Sequence, residues 1–220
     1  MKPTGLKAAV LISGTGSNLK ALIDAVASGN LELDIVRVVS NRADAPGIKH
    51  AHSAGIPVSI ISHNAYPDRV SHDRAITRVL KQDRAELIIL AGYMRILSEE
   101  FTEEFSGRMI NLHPSLLPLY KGLDTYNRAL QAGDSETGAS IHFVTAGLDA
   151  GPVIAQVRIP IEKTDDADSL AARLGPLEHK LLVATVAQFC RPGIRFENGR
   201  LMHGDTPLGE PLRLKKDGTF

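Results

Sequence analysis

The chain has 220 residues, 43% of them hydrophobic, with 25 basic and 25 acidic side chains and no formal net charge. That length and apolar content suit one folded domain or two intimate halves and argue against intrinsic disorder. The balanced charge argues against a duplex nucleic-acid binder, which carries a basic excess or stripe, but it leaves room for one local anion site.

Cys190 is the single cysteine, so no intrachain disulfide can form, and its place at the end of the apolar run Leu181–Cys190 reads as a buried helix thiol. Met1–Thr4 lead straight into a strand-like run without a signal-peptide pattern. No apolar stretch reaches the roughly 18 residues of a membrane span, so the expected compartment is the cytoplasm and no membrane partner is expected.

From the N-terminus, short Val/Ile/Leu-rich runs alternate with amphipathic segments. The predicted strands are Lys7–Ile12, Asp34–Val39, Val58–Ile61, Glu86–Ala91 and Arg108–Leu112. Between them, helical spacing marks Ser17–Ala27, Gly47–Ala54, Asp68–Lys81 and Ser98–Phe105. Repeated strand–helix–strand units imply an α/β fold: a Rossmann-like, open, mostly parallel sheet flanked by helices, with ligands bound at the carboxyl ends of its strands. Gly138–Val144 and Val153–Ile161 are longer and β-rich, joined by the turn Thr145–Pro152, and read as a strand pair that makes the later part of the sheet β-rich. Asp166–Cys190 is one long helix candidate, stopped by Pro192 and Gly193, with a kink or break expected at Gly175-Pro176. Gly204–Phe220, rich in Gly, Pro and Lys, reads as a partly disordered tail. The organisation expected is a phosphate-binding half (1–110), a second half of the same domain (111–200) and a tail (201–220).

Two constellations carry chemistry. The first strand runs into Ser13-Gly14-Thr15-Gly16-Ser17-Asn18-Leu19. Glycines let the backbone turn and present N–H groups to an anion, and Ser17 or Asn18 can cap the helix that follows. Leu19 stands where a dinucleotide fingerprint needs glycine, and no Gly-Lys-Ser/Thr follows, so neither a dinucleotide nor a triphosphate is indicated. The loop is either a phosphate cradle or an ordinary strand-to-helix turn. The second constellation is Asn111-Leu112-His113-Pro114. Residues two apart on a strand share a side, so an amide and an imidazole face one point, suited to an oxygen that gathers negative charge. The alternative is a hydrogen-bonded strand end with a satisfied histidine. Asp149, in the turn Gly147–Pro152, is the best candidate for a carboxylate that keeps His113 protonated; alone it also reads as a solvated turn residue. His142 reads either as a core histidine or as a neighbour of the site. The histidines at 50, 52, 63, 72, 179 and 203 show no metal-ligand spacing and read as scattered surface residues, so no metal is expected.

With LISGTGSNL (11–19), LAGYMRILS (90–98), NLHPSLLP (111–118) and HFVTAGLDAGPV (142–153) in this order, the chain resembles the phosphoribosylglycinamide formyltransferase family over roughly residues 7 to 190. The resemblance implies transfer of a formyl group from the co-substrate 10-formyltetrahydrofolate to a glycinamide amine, with Asn111, His113 and Asp149 as the catalytic trio. By the same resemblance, Gly16, Ser17 and Asn18 hold the ribotide phosphate. Gly175, Pro176, Leu177 and Glu178 lie at the sugar, although this Gly-Pro-Leu departs from the more polar run of some members. Met94, Arg95, Ile96 and Leu97 wall the folate ring, together with Asn111 and with Thr145, Ala146, Gly147, Leu148 and Asp149, and Arg69 faces the glutamate tail. Asp124 and Tyr126 occupy positions that are histidine in some members. The implied partners are small molecules, with no nucleic acid, and a monomer or weak homodimer. A formyltetrahydrofolate hydrolase shares the trio but carries an N-terminal domain, for which residues 1 to 6 leave no room. A methionyl-tRNA formyltransferase adds a basic C-terminal domain, and only about 30 residues follow Cys190. A non-enzymatic anion-binding module would use the glycine loop but has no need of the trio.

Overall fold

A computed structural model describes residues 5–191, 193–197, 200–215 and 217–220. In chain order the elements are β1 (Leu6–Ile12), α1 (Ser17–Ala27), β2 (Leu33–Ser40), α2 (Ile48–Ser53), β3 (Val58–Ile60), a 3-10 turn (His63–Ala65), α3 (Arg69–Gln82), β4 (Leu87–Leu90), α4 (Glu99–Glu104) and β5 (Met109–His113). There follow α5 (Thr125–Ala132), β6 (Glu136–Phe143), β7 (Val153–Pro160), α6 (Ala167–Phe189), β8 (Ile194–Glu197), β9 (Arg200–His203), β10 (Thr206–Pro207) and β11 (Leu212–Arg213).

The main sheet has the order β11-β7-β6-β5-β4-β1-β2-β3. Strands β3, β2, β1, β4 and β5 run parallel, and β6 and β7 then add antiparallel neighbours. The chain leaves β1 toward β2 and returns on its other side at β4, which makes the β1/β4 boundary a topological switch point, where open α/β sheets open a crevice. Successive β1 side chains go to opposite faces: Ala8, Val10 and Ile12 join the core shared with α1 and α6, and Ala9 and Leu11 join the core shared with α3 and α4. β4 divides in the same way, Leu87 and Ile89 against Ile88 and Leu90. Burial on both faces explains why these strands read as near-continuous apolar runs.

Four local expectations are corrected. Neither Ser17 nor Asn18 caps α1; Gly16 is the N-cap, left-handed at φ 73°, and no side chain accepts from the first turn. The helix α6 runs through Gly175-Pro176 without a break. Pro176 removes the bond to the Ala172 carbonyl, and both residues are exposed, so water can take the donor's place. That helix begins on a capping box between Asp166 and Ser169 and ends at Phe189; Cys190 is its C-cap, and Pro192 lies outside the described residues. The tail is not featureless: β9 and β10 pair beside β8, and β11 joins the edge of the main sheet parallel to β7. Cys190 is only partly covered, and burial, with Glu32 adding to it, pushes its thiol up to about 11. Among the described residues, no helix is long and apolar enough to cross a membrane.

Candidate active site

A cleft of about 520 Å³ opens at the switch point, lined by residues that leave β1 (Ser13–Asn18), β2 (Asn41, Arg42), β3 (His63) and β4 (Ala91, Gly92, Met94, Arg95). Close packing of two loops shapes its floor. The Gly47 N–H donates to the Gly14 carbonyl at 3.0 Å. A Cβ on Gly16 would stand 2.6 Å from Gly47 Cα, so backbone meets backbone and neither position admits a side chain. The N–H groups of the first α1 turn have no side-chain acceptor and form the positive end of an eleven-residue helix, an arrangement that attracts an anion. Ser13 ties this loop to its neighbours. Its hydroxyl donates to Asn41 Oδ1 at 2.7 Å and accepts from Met94 N–H at 2.8 Å.

The polar cluster forms two strands away, at the end of β5. Asn111 and His113 share a side as their spacing requires, and the β5–β6 register sets Asn111 opposite His142. The turn between β6 and β7 returns Asp149 to the same point. Asp149 is left-handed at φ 43°, a conformation that aspartate tolerates better than most residues. Gly151 must be glycine, because a Cβ there would overlap the Phe143 carbonyl. His113 Nδ1 lies 3.4 Å from Asp149 Oδ2, and His142 Nε2 lies 3.5 Å from Asp149 Oδ1. Asp149 Oδ2 also accepts from Gly122 N–H at 2.9 Å. Asn111 Nδ2 donates to His142 Nε2 at 3.1 Å, and its second N–H is left for another acceptor.

The Tyr120 carbonyl sits 2.9 Å from His113 Nε2 and can only accept, so Nε2 carries a proton. Burial pushes the His113 imidazole below the ordinary histidine range, outweighing the Tyr120 carbonyl and the Asp149 carboxylate, which pull it up. Asp149 therefore does not by itself keep His113 charged, contrary to the sequence expectation. Burial pushes the Asp149 carboxyl up, but His142, the Gly122 N–H and His113 together outweigh it and hold the group below its ordinary value. The outcome is a carboxylate held beside an imidazole whose charged form burial disfavours and Asp149 favours.

The formyl transferase family matches residues 6–186. The chain belongs to the formyl transferase family. It is 40% identical to the Escherichia coli phosphoribosylglycinamide formyltransferase over 95% of this chain and 96% of that one. It is 48% identical to the Drosophila melanogaster trifunctional purine biosynthetic protein adenosine-3 over 175 residues. That match covers 79% of this chain but 13% of the fly protein, so the chain spans about an eighth of that relative. The solved phosphoribosylglycinamide formyltransferase from Coxiella burnetii superposes with a TM-score of 0.91 at 42% identity, covering 95% of this chain and 99% of that one. The parallel β1–β5 half, the antiparallel β6–β7 pair and the flanking helices are thus those of a formyl transferase.

Of the remaining residues singled out from the sequence, Met94 and Arg95 line the cleft. Met94 and Ile96 are exposed apolar side chains at 68% and 53%, and Leu148, on the loop between β6 and β7, is exposed at 53%. Leu97 instead is buried among Phe101, Phe105 and Leu90 in the second core. Thr145, Ala146 and Gly147 lie on the loop that ends at Asp149, and Leu148 approaches Gly122. Arg69 is exposed on the first turn of α3. Gly175, Pro176, Leu177 and Glu178 lie on α6, outside the cleft lining. Burial pushes the Glu178 carboxyl up, partly countered by the Tyr126 hydroxyl, which donates to Oε1 at 3.2 Å. Two residues were underrated. His142 is a member of the polar cluster, a fact legible only through the β5–β6 register. His72, read as a surface histidine, is fully buried.

Proposed function

We propose that this chain transfers a formyl group from 10-formyltetrahydrofolate to the glycinamide amine of 5-phosphoribosylglycinamide, a step of purine synthesis. One observation carries the reading: Asn111, His113 and Asp149 meet at a strand end in the same sheet whose switch point bears an uncapped helix N-terminus. The phosphate of the ribotide binds the N–H groups of Gly16, Ser17 and Asn18, with the sugar toward Glu178. The apolar side chains of Met94, Ile96 and Leu148 suit the flat folate ring. Arg95 walls the ring beside them, and Arg69 supplies a cation for the carboxylate tail.

The co-substrate supplies an acyl carbon on nitrogen, and the chain's own residues do the rest. Asn111 directs its free N–H at the oxygen on which charge gathers when the amine attacks. His113 is neutral at rest. A negative charge gathering beside the ring acts in the same sense as Asp149, so the imidazole takes the proton that the attacking amine gives up and returns it to the leaving folate nitrogen. Asp149 balances the imidazolium and orients the water or amine proton between the attacking and leaving nitrogens. No covalent enzyme intermediate is required. The chain works in the cytoplasm on small molecules, without nucleic acid or membrane, as a monomer or weak homodimer. Residues 1–110 form its phosphate-binding half and 111–200 its catalytic and folate-binding half.

Folate absorbance, followed with and without the ribotide, tests the reading. Release of tetrahydrofolate that depends on ribotide supports transfer. Release without ribotide would make the chain a hydrolase, and no release at all would leave an anion-binding module.

A further inference from the structure

The segment Met94–Leu97 presents two exposed apolar side chains, and both its ends are tied to buried side-chain acceptors. At the start, Met94 N–H donates to Ser13 Oγ at 2.8 Å. At the end, Ser98 N–H donates to Asp73 Oδ2 at 2.6 Å. Asp73 is 2% exposed on α3, in a place where an isolated carboxylate would be strongly unfavourable. His72 makes it tolerable. Its Nδ1 lies 3.0 Å from Asp73 Oδ1 and its Nε2 lies 3.0 Å from the Ile61 carbonyl. The Ile61 carbonyl can only accept, so Nε2 donates to it, and Nδ1 is left facing the carboxylate. Every polar atom of the pair is then satisfied: Ile61 at the end of β3, the pair itself on α3, and Ser98 at the N-cap of α4. Tyr66 packs edge-on against the His72 ring at 5.5 Å and closes the other side.

We propose that His72 and Asp73 are positioning residues for the folate site: through Ser98 they fix the segment Met94–Leu97 in the shape that receives the ring. The inference rests on the folate reading of that segment. Neither residue touches substrate. Their effect reaches the cleft through one backbone N–H, and it is separate from the Ser13 anchor, which also belongs to the glycine loop and so serves both substrates. The pair is an adjacent i, i+1 couple at the start of a helix. Such residues normally diverge around the helix, and here Ile61 and Ser98 bond to the outer atoms of the pair, His72 Nε2 and Asp73 Oδ2.

The test compares Asp73→Ala, Asp73→Asn and Ser98→Pro in the full chain. Asp73→Ala removes the acceptor and Ser98→Pro removes the donor, and each is expected to raise KM for 10-formyltetrahydrofolate by about tenfold or more while kcat and the ribotide KM move less than about threefold. Asp73→Asn keeps an acceptor for Ser98 and is expected to recover most of the loss. Independently of activity, the amides of residues 94–98 should exchange with deuterium faster in Asp73→Ala, while those of β5 and α1 keep the wild-type rate. A lower Tm with an unchanged folate KM, or equal increases in both KM values, would reduce the pair to a purely structural role and overturn the proposal. Should Asp73→Ala fail to fold, Ser98→Pro decides on the same terms. If wild-type protein shows no ribotide-dependent transfer, the folate half falls with the function, and the exchange rates alone decide whether the pair holds the segment.

Discussion

His113 Nδ1 and Asp149 Oδ2 face each other at 3.4 Å, and yet burial leaves the imidazole below its ordinary range. The consequence for stability has a definite sign. A depressed histidine favours the folded state above the ordinary value of 6.5, and that contribution is lost as pH falls through the depressed value, because the unfolded chain then binds the extra proton. His179, depressed by burial, acts in the same direction. Asp149 is held below 3.8 and does not titrate in this window. Urea midpoints at pH 8 and pH 5 should therefore differ in wild-type protein, and the difference should shrink in His113→Asn. An equal drop in both proteins would contradict the burial argument.

The contact between Gly16 and Gly47 is the second point open to test. A Cβ on Gly47 would stand 2.8 Å from Gly16 Cα and 2.9 Å from Ile12 Cδ1, so Gly47→Ala must push the two loops apart. The ribotide KM is expected to rise about tenfold or more, with the folate KM within about threefold. Steady-state kinetics with each substrate varied in turn will show whether the effect is confined to the ribotide.

Glu178 behaves in the opposite sense from His113. Its carboxyl is raised above the ordinary 4.5 by burial, so its contribution is fully present below that value and is lost as pH rises through the raised one. At neutral pH the charged form penalises the fold. Glu178→Gln should raise Tm at pH 8 by about 2–4 °C for each kcal/mol relieved, and should give no gain at pH 4. The same change should weaken ribotide binding, a trade expected of a carboxylate kept in place for its ligand.

The parallel half of the fold was legible because β1, β2, β4 and β5 are apolar on both faces and α1 and α3 keep helical spacing between them. Asn111 and His113 could be paired from a period of two along one strand. Their connection to Asp149 and His142 could not be read locally, since it depends on the β5–β6 and β6–β7 registers, which are tertiary facts. The helix α5 escaped notice because Thr125–Ala132 is short and largely polar. The strands β8 to β11 escaped because two- to four-residue strands among Gly and Pro owe their form to pairing rather than to their own pattern. His72 read as a surface residue because Ser71-His72-Asp73 is polar throughout; only the packing of Ile61 and Ser98 over α3 buries it.

The most direct test of the convergent amide, imidazole and carboxylate is the rate of ribotide-dependent formyl transfer in Asn111→Ala and His113→Ala beside wild type at saturating substrates. Loss of one oxyanion donor lowers kcat by about 10²–10³, and each variant should fall at least that far while remaining folded. Turnover within a few-fold of wild type in either variant would remove that residue from the chemistry.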